Sequence, residues 1–224
     1  MTGLPVLTLL GVALAQSADT VRFTRLDVVL DSITWSDVRA STFLPVAWGN
    51  GYLAGPGEVR LCDRLSCLVL LPPDSAADRV PGDIAIGVLP APGSGLAERL
   101  AASRSRRARI EIADPPPPPD LLVSPDSLPM AYYLSAVAML VPPALIAELE
   151  VGFRSSGARV IREGQGVVVQ FGSQELRVMP AWGEPGIERI TLHLRRELPG
   201  NPTFRFGPRT RLRFNPPRTA IWTF

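Results

Sequence analysis

The chain has 224 residues, a formal charge of +2, 46% hydrophobic and 20% charged residues, enough to bury an ordinary core in one large domain or two small modules. Apolar runs along its whole length exclude a disordered chain despite the 24 prolines. All 23 basic residues are arginine, a usage that reflects coding composition before it reflects anion recognition.

Residues 1–15 are apolar, close on Ala13-Leu14-Ala15 and precede Gln16-Ser17-Ala18-Asp19, so they read as a signal peptide cut after Ala15. The mature chain is therefore expected outside the cytoplasm, periplasmic or extracellular. Residues 21–30 are rich in β-formers and end at Asp31-Ser32, which caps a helix expected near Ile33 to Phe43 with Ile33, Trp35, Val38 and Leu44 inward. Gly49-Asn50-Gly51 opens a turn, and strands follow at Tyr52–Ala54, Val59–Leu61 and Leu68–Leu71. Cys62 and Cys67 bracket a four-residue hairpin loop that sets their sulfurs opposite each other, so a cross-strand disulfide is expected. Their spacing excludes a thioredoxin-type motif, and their number excludes a structural zinc site.

A second β-then-α cycle is read after Pro81-Gly82, as a strand over Asp83–Leu89 and a short helix over Leu96–Ala102. Ala108–Ile112 is a further strand, and residues 115–119 are a polyproline spacer. The uncharged stretch 128–147 has the length of a membrane span, but Pro142-Pro143 interrupts it. No transmembrane span is expected in the mature chain. The stretch reads as an apolar helix over Tyr132–Leu140 and a second helix with Leu145, Ile146, Leu149 and Phe153 inward and Glu148, Glu150 and Arg154 outward. Short strands follow at 159–161, 166–171, 175–179, 189–194, 211–214 and 219–224.

His193 is the only histidine, and it alternates with Ile190, Leu192 and Leu194 on the polar side of a strand. It reads as a solvated or hydrogen-bonded strand residue rather than a catalytic base. With no nucleophile elbow and no phosphate-binding glycine loop, no catalytic residue is assigned. Arg195, Arg196, Arg205, Arg209, Arg211, Arg213 and Arg218 crowd the last 30 residues, and Arg209, Arg211 and Arg213 are expected on one side of a strand. A solvated face is the plain reading; an envelope polyanion is the functional one, ahead of nucleic acid.

Leu26-Asp27-Val28-Val29-Leu30-Asp31 and Gly82-Asp83-Ile84-Ala85-Ile86-Gly87-Val88, each opening a β-then-α cycle, resemble the vicinal oxygen chelate (glyoxalase-like) superfamily. Leu30-Asp31-Ser32-Ile33-Thr34, then Ser41-Thr42-Phe43-Leu44, and Phe206-Gly207-Pro208-Arg209-Thr210-Arg211-Leu212 with Trp222-Thr223-Phe224, look like an uncharacterised branch of it. The resemblance implies an α+β fold: two βαβββ-like modules forming curved mixed sheets, residues 20–80 and 81–224, with extra helices in an insertion at about 128–157 and a C-terminal run of strands. It places the superfamily's metal ligands at Thr24 or Arg25, near Val69, and at Asp83. Only Asp83 suits a cation, so no metal and no cofactor are expected. Arg25 and Asp83 are instead expected to anchor a small anionic or polar ligand. The alternatives are a metal-dependent lyase or dioxygenase of the same superfamily, and an envelope structural protein without ligand.

Overall fold

The computed structural model describes residues 22–63, 65–74, 84–89, 108–112, 130–155, 157–215 and 217–224. The proposed signal peptide, Asp83, the 96–102 helix and the polyproline spacer lie outside them. The fold is α+β, with two mixed sheets of six and eight strands.

β1 (Arg22–Val29) runs into α1 (Ser32–Ala40) and α2 (Phe43–Trp48), a 3₁₀ turn (Gly49–Gly51), and then β2 (Tyr52–Ala54), β3 (Val59–Cys62) and β4 (Cys67–Leu71). β4 returns parallel to β1, giving the order β2-β3-β4-β1. The same path is walked again by β7 (Ala131–Val141), α3 (Pro143–Ser155), β8 (Arg159–Glu163), β9 (Gly166–Phe171) and β10 (Gln174–Pro180). β10 returns parallel to β7, giving β8-β9-β10-β7. These are two βαβββ units. β5 (Ile84–Leu89) adds antiparallel to β1 and β6 (Ala108–Ile112) parallel to β5; β11 (Gly186–Leu194), β14 (Thr219–Thr223), β13 (Thr210–Asn215) and β12 (Thr203–Phe206) extend the second sheet beyond β7.

Two expectations are corrected here. The strand at 84–89, read as opening the second module, belongs to the first sheet, and the second βαβββ unit opens at β7. The segment Tyr132–Leu140, read as a helix, is that opening strand. β7 lies between β10 and β11, and its outward Ala136, Ala138 and Leu140 are as apolar as its inward Val137, Met139 and Val141, so the sequence shows no alternation to mark it as a strand. No helix among the described residues is long and apolar enough to cross a membrane.

Asp31 caps α1 by accepting from the backbone of Ile33 and Thr34 and from the Thr34 hydroxyl. That anchor turns Thr34 and Val38 inward and leaves Ile33 62% exposed, against the expected inward Ile33. In α3, Ile146, Leu149 and Phe153 are buried as expected, but Glu150 is buried too, held between Arg154 at 2.9 Å and Arg162 at 2.8 Å. Hydrogen bonding to the Arg162 guanidinium leads the causes that hold its carboxyl below the usual glutamate range.

One apolar core joins Leu26, Val28, Leu61 and Leu70 of the first sheet to Val137, Met139, Leu176, Ile190, Leu212 and Trp222 of the second. Aromatic contacts tie the layers: Phe23 to Phe171, Phe43 to Phe204, and Trp48 to Trp222. Each fully buried large side chain of this kind contributes about 1.5–3 kcal/mol. The helices pack on this same side, α2 through Phe43 against Phe214 and α3 through Phe153 against Phe171. The opposite face of the eight-stranded sheet therefore carries no described helix.

Candidate functional site

Side chains alternate across a strand, so residues in register on neighbouring strands share a face. On the face of the larger sheet that carries no described helix, Arg205 lies opposite Arg211, Arg211 opposite Thr223, Thr223 opposite Arg189, Arg189 opposite Ala138, and Ala138 opposite Arg177. Four arginines thus stand in one row across six strands, a width of about 24 Å at ordinary strand spacing. The next row on this face carries Thr203, Arg213, Ile221, Thr191, Ala136 and Glu175. Inward-facing Phe206, Leu212, Ile190, Val178 and Trp222 interleave these positions and pin the register, because a one-residue slip would bury the arginines.

Arg189, Arg205, Arg211 and Arg213 are exposed. The ion pairs among the described residues use Arg25, Arg60, Arg154, Arg162, Arg177 and Arg209, and none of those four. Arg177 is shared by Glu175 at 2.6 Å and Glu163 at 3.5 Å. Like charges placed directly opposite, as Arg205 and Arg211 are, destabilise a sheet. Arg205, Arg211 and Arg189 make a field of positive charge beside a floor of Ala138 and Thr223, and Arg177 closes the row with its charge shared by Glu175 and Glu163.

The expected trio is rearranged. Arg211 and Arg213 do share a strand face, but Arg209 lies in the Gly207-Pro208-Arg209 turn before β13 starts at Thr210, and it approaches Glu184 at 3.8 Å. The turn needs Gly207, whose φ is +69°. Arg177, Arg189 and Arg205 take the places that make the row, and the period-2 patterns Glu175-Leu176-Arg177-Val178 and Phe204-Arg205-Phe206 carried the signal for two of them. At Glu188-Arg189 the register shifts and both residues face solvent, which breaks the pattern.

Arg25 stands on β1 in register with Cys67 and Gly87, and its guanidinium makes a bidentate pair with buried Asp27, the Nη2 arm at 3.0 Å. Asp27 is in register with Val69, on the side of the sheet that holds Val29, Cys67 and Leu71. Thr24 is buried. Asp27, a carboxylate inside an apolar strand, was the polar residue to single out there. Thr24, Arg25 and Val69 offer no anionic donor, and Asp27 is already neutralised by Arg25, so these positions do not fit a divalent cation. Among the described residues no group of three or more His, Cys, Asp or Glu gathers around one point.

Cys62 and Cys67 are disulfide-bonded. Their loop presents Asp63, whose Oδ1 accepts from the backbone of Leu65 and Ser66 and whose Oδ2 accepts from the Ser66 hydroxyl and from Leu134. Gln174 donates to Ser66 Oγ and to the Leu134 carbonyl. Burial pushes the Asp63 carboxyl up to about 6 against these hydrogen bonds. With every lone pair engaged by the protein, Asp63 is a joint between the two sheets rather than an acid facing substrate.

No family model matches the chain, and no curated protein matches it. Among solved structures it is similar to a triple mutant of 4-hydroxymandelate synthase from Streptomyces coelicolor, at 15% identity and a TM-score of 0.41 over 76% of this chain and 69% of that one. It is also similar to a xylose isomerase-like TIM barrel/4-hydroxyphenylpyruvate dioxygenase fusion protein, at 11% identity and a TM-score of 0.48 over 83% of this chain and 39% of that one. At such low identity and superposition the likeness carries no inference about the chemistry of this chain.

Proposed function

We propose that this chain is an exported binding protein of glyoxalase-like build that holds an extended polyanion on the arginine-lined face of its eight-stranded sheet. The observation that carries the reading is the row Arg205, Arg211, Arg189 and Arg177, on a face without a described helix and with three of its guanidinium groups in no ion pair among the described residues. A polymer running across the strands meets these charges in succession, where a small anion would meet one or two. The repeated βαβββ path supports the glyoxalase-like reading. The apolar 1–15 stretch and the Cys62–Cys67 disulfide support export.

The test is binding of the purified protein to inorganic polyphosphate across a salt series. Affinity is expected to fall linearly on a log–log plot, with the slope dropping by about one for each of Arg189, Arg211 and Arg213 replaced by alanine. Arg60→Ala, on the six-stranded sheet, should leave the slope unchanged. Absence of polyanion binding overturns the reading, and so does stoichiometric metal in the purified protein, which would favour a metal-dependent lyase or dioxygenase.

A further inference from the structure

At one end of the same face four side chains converge that the arginine row does not use. His193 on β11 is in register with Tyr133 on β7, and their rings lie 5.2 Å apart at 34°. Tyr132 stands edge-on to Tyr133 at 5.4 Å and lies 6.2 Å from His193. The Arg195 guanidinium sits 4.5 Å over the Tyr132 ring. All four residues are half-buried. Consecutive residues of a regular strand point to opposite faces, so Tyr132 and Tyr133 should part. They gather because the β11–β7 ladder shifts register between Thr191 and Leu192 and again between His193 and Leu194, and such bulges re-aim side chains.

This corner continues the charged face. His193, Thr191 and Arg189 alternate on one side of β11, and Arg213 stands in the Thr191 row two strands away. An extended ligand lying on the face reaches both the arginines and the rings.

Resting on the polyanion reading, we propose that the corner is a sugar-stacking subsite and that the polyanion is an acidic polysaccharide. Rigid rings with polar edges offer flat faces to the C–H face of a sugar ring, while the tyrosine hydroxyls, imidazole and guanidinium offer hydrogen bonds to ring hydroxyls. Polyphosphate has no apolar face to place there. Charge spacing separates the remaining candidates: of the row's arginines in no ion pair among the described residues, Arg211 and Arg189 stand two strands apart, about 10 Å, with Arg205 beside Arg211, and that span is wider than the step between successive phosphates of a nucleic-acid strand. A glycan with one carboxylate on every second sugar is the better match.

The experiment compares wild type with Tyr133→Ala and with His193→Ala, using hyaluronan oligosaccharides, inorganic polyphosphate and single-stranded oligothymidylate as probes. Each variant is expected to weaken hyaluronan binding about tenfold, the loss of one ring contact, and to leave polyphosphate binding unchanged. Thermal melts confirm folding, and His193→Gln supplies a milder change should the alanine variants unfold. The subsite is overturned if hyaluronan binds no better than polyphosphate, if both probes weaken equally in the variants, or if oligothymidylate binds more tightly than hyaluronan and shares its loss. Polyphosphate binding without hyaluronan binding sinks this subsite alone, whereas failure of all three probes sinks the polyanion reading itself.

Discussion

The Asp63 carboxylate accepts the backbone N–H of Leu134 at 2.6 Å across 71 residues of chain, joining the disulfide loop of the first sheet to the central strand of the second. Because burial raises its folded pKa to about 6 from 3.8, the folded state binds the proton more tightly than the unfolded chain. The contribution to stability is then fully present below about pH 4 and is lost as pH rises through about 6. Urea unfolding from pH 4 to pH 7 should show a fall of about 2 kcal/mol from this group. Asp63→Asn, which mimics the protonated acid at every pH, should flatten that slope. A wild-type curve that rises over this window contradicts the assignment.

The disulfide acts on the same joint. A loop closed across five positions of sequence separation stabilises by about 2 kcal/mol through the unfolded chain. Cys62→Ser with Cys67→Ser should lower stability by that amount and speed hydrogen exchange at the Leu134 amide more than at other β7 amides. Equal acceleration along β7 would mean that the loop is not what holds this contact.

Gly207 meets α1 closely. Its N–H donates to Asp37 at 2.7 Å, and a Cβ built on it would lie 2.2 Å from the Thr34 hydroxyl oxygen with φ at +69°. Gly207→Ala should destabilise by about 2 kcal/mol or more through left-handed strain and contact with the helix. Asp31→Ala, which removes the cap that places Thr34 there, should cost about 1 kcal/mol. Thermal melts of both variants and of the pair test the coupling, and additive losses would show that the cap does not set the docking of the turn.

Arg205 and Arg211 stand directly opposite on β12 and β13. Arg205→Thr should raise stability by about 0.2–1 kcal/mol by relieving like-charge repulsion while weakening polyanion binding. Denaturant midpoints and binding measured on the same preparations decide it. A variant that loses stability would mean that the arginine serves packing more than recognition.

The legible parts of this protein were the local ones. The Asp31 cap, the Cys62–Cys67 hairpin, the apolar stripe of α3, and the outward Arg211 and Arg213 could be read from neighbours a few residues away. The Tyr132–Leu140 segment could not. An uncharged run fits a buried helix and a central strand equally well, and its true partners lie at 174–180 and 186–194. That misreading also hid the second βαβββ unit, since β7 opens it, and the strand at 84–89 took its place.

By itself the sequence determined which short segments bury one side and where turns, caps and the disulfide fall, because these depend on interactions within a turn or a hairpin. Only the tertiary structure decided that arginines from β10, β11, β12 and β13 stand in one row and that Asp63 meets Leu134. Register between strands far apart in the chain is chosen by how the whole apolar face packs, and no single strand carries that information.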